Sequence, residues 1–285
     1  MAPSDPHTLV STEWLSDHLS DPNLRVLDGS WFLPTQNRDP KAEYEADHIP
    51  GARFFDIDDI CDHRSDLPHM MPPVEKFMSR LRAMGVGDGH QVVVYDAGPR
   101  IFSAARVWWT FKLMGQDNVA VLDGGLAKWK AEGRRSDSRP AVIRDRHMTV
   151  VPRPELVKDV TEVAHASKLR DHEIIDARAA DRFSGNAPEP RAGLRAGHIP
   201  GSKNVPFQTL FNPDGTMLDP KDLRKIFEAA GVDMDKPAIT TCGSGVTAAV
   251  LSLALERIGK TDHSLYDGSW TEWGAHETLK IETGA

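Results

Sequence analysis

The chain of 285 residues is longer than one average domain and fits two of about 140 residues each. With 40% hydrophobic and 27% charged residues it has the composition of an ordinary folded protein and not of a disordered one. A net charge of −8, from 34 basic and 42 acidic residues without a basic cluster able to follow a phosphate backbone, argues against nucleic acid as a partner and leaves any anionic substrate to be attracted by local groups.

The opening MAPSDPHTLVSTEW has no basic start followed by an apolar run, and no uninterrupted apolar stretch approaches the ~20 residues of a membrane span. A cytoplasmic protein without a membrane partner is expected. Arg25-Val26-Leu27-Asp28 predicts a first strand, and a loop then leads to His48-Ile49-Pro50-Gly51. The segment FFDIDDICDHRSDLPHMMP follows and carries Asp58, Cys61 and His69. A second β-branched run, QVVVYD, ends at Asp96; a helical stretch and a third run, VAVLDGG, lead to Trp129. The polar, proline-bearing stretch 132–154 reads as a linker, with a boundary near residue 145 and hence domains 1–144 and 145–285.

Beyond the linker the order repeats. Glu173-Ile174-Ile175-Asp176 stands for the first strand, His198-Ile199-Pro200-Gly201 lies 150 residues after its twin, and Asp267-Gly268 with Trp273 lies 144 residues after Asp123-Gly124 with Trp129. Strands alternating with helices in each copy imply a mainly parallel sheet with helices on both faces, an α/β fold made twice. His48 and His198 occur in both copies and read as fixing a turn, and the two tryptophans read as core anchors.

The copies diverge after the second run, where YDAGPRIFSAA faces TCGSGVTAAV and Asp96 occupies the slot of Cys242. Ala238-Ile239-Thr240-Thr241 predicts a strand, Gly243 and Gly245 permit unusual backbone angles, and a helix is expected from Val246 onward. Cys242 then sits against a helix N-terminus, where unpartnered amides and the helix dipole favour a thiolate. The other reading is a buried structural cysteine. With only two cysteines in the chain a disulfide framework is implausible. Cys61 has no visible activating group and is left out of the site.

The CGSGVTA loop, the paired HIPG motifs and the DGG/DGS-to-Trp spacing resemble the tandem rhodanese-fold sulfurtransferases, and among them the branch acting on 3-mercaptopyruvate. The resemblance covers nearly the whole chain. It implies two rhodanese-like domains, the first non-catalytic, and transfer of sulfur from 3-mercaptopyruvate through a Cys242 persulfide to a thiol acceptor such as thioredoxin or a small thiol, with release of pyruvate. It also places substrate-binding arginines at Arg182 and Arg191, a loop serine at Ser244, substrate contacts at Gly243, Gly245, Val246 and Thr247, and a proton relay through His69 and Asp58. The family carries a tyrosine-aspartate pair where Leu67-Pro68 precede His69 here. Planar guanidinium forks suit the carboxylate and keto oxygens of a 2-oxo acid, and histidine suits a proton relay near neutral pH.

Four other readings compete. Thiosulfate is the alternative donor, although Gly243 and Ser244 are neutral where members preferring it carry basic residues. A dinucleotide-binding protein is suggested by Gly243-x-Gly245-x-x-Ala248 followed by Asp267, but that fingerprint normally follows the first strand of its domain. A phosphatase would need a cationic donor in the loop, which contains no arginine. The fourth is a non-catalytic sulfur carrier. No CxxC or HxxxH pairing occurs, so no metal and no cofactor is expected.

Overall fold

Residues 5–284 are described by the structure, a computed structural model, and divide into two compact units. The first holds the chain through Asp62, Met71–Arg153 and Phe211–Met217; the second holds His63–Met70, Pro154–Leu210 and the chain from Leu218.

The first unit contains strands β1 (Leu9–Val10), β2 (Leu24–Asp28), β3 (Arg53–Phe54), β4 (Gln91–Tyr95) and β5 (Val119–Leu122) in the order β1-β5-β4-β2-β3, every pair parallel. Its helices are α1 (Thr12–His18), α2 (Pro40–Ala46), α3 (Val74–Ala83), α4 (Ser103–Leu113) and α5 (Gly125–Ala131). From β1 to β3 the chain crosses the sheet in one direction and from β3 to β5 in the other, so right-handed crossovers put α1 and α2 on one face and α3 and α4 on the opposite one. The core records both faces. Val93, Tyr95, Ala120 and Leu122 pack with Leu15 of α1 and with Leu126 and Trp129 of α5, while Phe77 of α3 meets Phe111 of α4 edge-on at 5.3 Å.

The second unit repeats the plan with β6 (Val157–Lys158), β7 (Glu173–Asp176), β8 (Lys203–Asn204), β9 (Ala238–Thr241) and β10 (His263–Tyr266) in the order β6-β10-β9-β7-β8. Helices α6 (Val160–Leu169), α7 (Ala180–Phe183), α8 (Pro220–Ala229), α9 (Ala248–Arg257) and α10 (Ser269–Trp273) complete it. Starts are set by side chains. Asp159 and Glu162 form a capping box on α6, and Asp219 caps α8 ahead of Pro220.

Matched hydrogen bonds fix the correspondence of the units. Gly29 N donates to Tyr95 O at 2.8 Å as Ala177 N does to Thr241 O at 2.8 Å, and Leu126 N donates to Asp96 O at 3.0 Å as Trp270 N does to Cys242 O at 2.9 Å. The HIPG histidines fix turns, as expected. His48 N bonds Asp137 O and its ring stacks on Tyr44 at 4.4 Å; His198 N bonds Glu282 O and its ring stacks on Phe183 at 3.8 Å. Trp129 and Trp273 are buried, and each indole N–H donates to a carbonyl, of Arg135 and Lys280. Helix α9 starts at Ala248, not at the expected Val246. Gly245 reverses the chain at φ 78°, and the first turn closes through three-residue bonds, Ala249 N to Val246 O and Val250 N to Thr247 O. No helix among the described residues is long and apolar enough to cross a membrane.

Candidate active site

Strand β9 ends at Thr241, so the next residue, Cys242, stands at the carboxyl edge of the sheet in the tight loop before α9. It is 2% exposed. The backbone around it is held from the turn after β10: Ser269 Oγ accepts from Cys242 N at 3.3 Å while donating to Tyr266 O at 2.8 Å. Thr271 binds Gly243 O twice, through its amide at 2.9 Å and its hydroxyl at 2.6 Å. Ser269 does this from a left-handed backbone, φ 50°, where the first unit has Gly125 at φ 56°. A strained serine thus replaces a permissive glycine, and its hydroxyl anchors the cysteine amide.

A chain of charges leads to this loop. Buried Arg178 pairs with Asp176 at 2.7 Å and with Glu189 at 2.8 Å, and Glu189, its side chain 2% exposed, also binds Arg182 at 2.5 Å. The Arg182 fork reaches the loop: Nη2 lies 3.3 Å from where a Cβ on Gly243 would be, so glycine there leaves room for the guanidinium. Burial lowers the pKa of Arg191, Cys242 opposes that shift, and Arg182 adds to it. Two guanidinium groups and one buried sulfur therefore share a half-buried site, a combination suited to holding a small carboxylate beside a nucleophile.

The first unit shows what the same loop does with a negative charge. Asp96 takes the cysteine position, and its carboxylate accepts from Gly98 N at 3.1 Å, Phe102 N at 2.9 Å and Ala104 N at 2.9 Å. Burial pushes the Asp96 pKa up and these amides pull it down. The strand-loop-helix turn is an anion cradle filled from within.

Ser244 is 8% exposed in the Cys242 loop, with Gly245, Val246 and Thr247 completing the turn into α9. His69 falls in the second unit, in the segment His63–Met70, buried and with left-handed backbone at φ 60°. Asp58 falls in the first, where it accepts from Trp31 Nε1 at 3.0 Å. Cys61 is beside it, donating to Asp58 O at 3.1 Å, and burial raises its pKa. The structure thus brings Cys242, Ser244, Arg182 and Arg191 into one unit with His69. Glu189, Arg178 and Ser269 were not singled out from the sequence. An isolated acid beside two arginines and a Gly-to-Ser change between the copies (DGG, DGS) were the available signals.

Residues 11–132 and 159–276 each match the family described as "Rhodanese-like domain". A "Thiosulfate/3-mercaptopyruvate sulfurtransferase 1, mitochondrial" of Arabidopsis thaliana is 43% identical over 296 residues, covering 96% of this chain and 78% of the relative. A "3-mercaptopyruvate sulfurtransferase" of Escherichia coli (strain K12) is 42% identical over 274 residues, covering 96% of this chain and 97% of the relative. The crystal structure of SseA from Escherichia coli, described as showing the rhodanese fold of 3-mercaptopyruvate sulfotransferases, superposes with a TM-score of 0.84 at 41% identity, covering 92% of this chain and 98% of the other.

Proposed function

The chain belongs to the rhodanese family as two rhodanese-like domains in tandem, and from that premise we propose that it is a 3-mercaptopyruvate sulfurtransferase working through a persulfide on Cys242. The observation that carries the reading is Arg182 held against Gly243 of the cysteine loop, with Arg191 within electrostatic reach of Cys242. The arginines hold the carboxylate and keto oxygen of the donor. The Cys242 thiolate attacks the donor sulfur; the carbon–sulfur bond breaks, its electron pair leaves as the enolate of pyruvate, and a proton delivered to that carbon completes the product. Ser244, His69 and Asp58 are proposed to carry this proton. An acceptor thiolate, from thioredoxin or a small thiol, then attacks the outer sulfur, and cleavage of the sulfur–sulfur bond returns Cys242 as thiolate. No step needs a metal or cofactor.

Thiosulfate is proposed as a secondary donor. Glu189 neutralises one of the two loop guanidiniums, which leaves one net positive charge for a donor, enough for a monocarboxylate and poor for a dianion. A cytoplasmic location belongs to the same proposal.

The test is to expose the reduced protein to 3-mercaptopyruvate without acceptor and weigh the intact chain beside its Cys242→Ser variant. The expected result is the mass of one added sulfur on the wild type alone, matched by pyruvate. A folded, reduced wild type that releases no pyruvate and gains no mass would overturn the reading.

A further inference from the structure

The two units differ behind their loops. In the second, the Arg178 guanidinium donates to both oxygens of Asp176 at 2.7–3.1 Å, to Gly197 O at 2.8 Å and to Glu189 at 2.8 Å, and it lies 4.2 Å over the Trp270 ring. The first unit repeats this frame without the side chain. Ser30 N donates to Asp28 Oδ1 at 2.9 Å as Arg178 N does to Asp176 Oδ1 at 2.9 Å, so serine stands where arginine stands in the second copy. By the same correspondence Asp47, just before His48, stands for Gly197, and Leu126 stands for Trp270.

Asp28, Ser30, Asp47 and Leu126 line a cavity of about 140 Å³. Its charges do not cancel. Glu43 is paired with Arg38, and Asp47 with Lys130 at 2.5 Å, so of the three carboxylates on the lining the excess falls to Asp28. Asp28 is 2% exposed, and burial pushes its pKa up to about 6 against hydrogen bonds from Ser30 and Tyr95. A cavity of this size admits a benzene ring, which is larger than a guanidinium ion.

We propose that this cavity in the first unit is a binding site for a small guanidinium-type cation, the guanidinium ion or a short alkylguanidine, seated on Asp28 where Arg178 sits in the second unit. The planar fork gives Asp28 the paired N–H donors that Asp176 receives from Arg178 Nε on Oδ1 and Nη2 on Oδ2, which a spherical ammonium cannot reproduce. The site is independent of the sulfur-transfer reading and requires no turnover.

The experiment follows thermal unfolding of the full chain while guanidinium chloride or methylguanidinium chloride is titrated from about 0.1 to 10 mM, far below denaturing concentrations, against tetramethylammonium chloride at equal ionic strength. A saturable rise of about 2–4 °C is expected with the guanidinium salts alone. Asp28→Asn removes the rise. Ser30→Arg, which supplies the cation covalently, starts at a higher Tm and no longer responds; should it fail to fold, Asp28→Asn decides. Identical curves in the two kinds of salt, or a wild-type rise in Asp28→Asn, would overturn the proposal.

Discussion

Glu189 is held between Arg178 and Arg182 with its side chain almost fully buried, so its charge is felt at the cysteine loop with little screening from water. Replacing it by glutamine keeps the shape and leaves the loop one positive charge richer. The ratio of kcat/KM for thiosulfate to that for 3-mercaptopyruvate should rise about tenfold in Glu189→Gln, while Glu189→Asp, which keeps the charge, should hold the wild-type ratio. An equal ratio in all three proteins would show that Glu189 only orders the loop. The sequence points to Cys242, Arg182 and Arg191 through a resemblance built on the CGSGVTA loop, the HIPG motifs and the DG-to-Trp spacing. Glu189 escapes because its partners are other side chains, and its place between two arginines in sequence does not by itself separate a buried bridging acid from a solvated one.

At the scale of elements, the strand-loop-helix turn depends on a brace from the neighbouring turn. Ser269→Gly keeps the left-handed backbone that φ 50° requires and removes the hydroxyl that links Cys242 N to Tyr266 O. The rate of sulfur loading on Cys242 should fall about tenfold with Tm within a few degrees of wild type, read by quenched mass spectrometry. An unchanged rate would mean the loop holds itself. β2 carries the opposite kind of tension. The unfolded chain releases the Asp28 proton near pH 3.8, and the folded chain keeps it until about pH 6, so ionisation in between stabilises only the unfolded state. Asp28→Asn should therefore gain stability relative to wild type by about 2 kcal/mol between pH 4 and pH 7, measured by denaturant unfolding at each pH. A constant difference would contradict that pKa. The parallel sheets were legible in β-branched runs, several of them ending in Asp or Cys; the two-residue strands β1, β3, β6 and β8, and with them the strand order, were not, because two residues carry no periodicity. The start of α9 was not, because Gly245 and a tight first turn displace it by two residues, a backbone effect that side-chain periodicity does not carry.

For the whole molecule, one architecture built twice separates the cradle from the reagents that make it reactive. The first unit has the loop but no Arg178–Glu189–Arg182 chain: Ser30 stands in for Arg178. Asp96→Cys in a Cys242→Ser background should therefore fold and release no pyruvate from 3-mercaptopyruvate; measurable release would show that the loop alone suffices. The duplication itself was legible from HIPG and DG landmarks, because turn glycines and core tryptophans are constrained by packing in both copies. The membership of His69 in the second unit was not, since sequence position alone assigns it to the first repeat.

Asp96 gives the cradle an internal voltmeter. A carboxylate fixed in the nucleophile's place, with amides of Gly98, Phe102 and Ala104 aimed at it, titrates at a pH set by the local potential. Following its carboxyl carbon by NMR reads how strongly this turn stabilises a negative charge, with no sulfur present and no turnover to interpret.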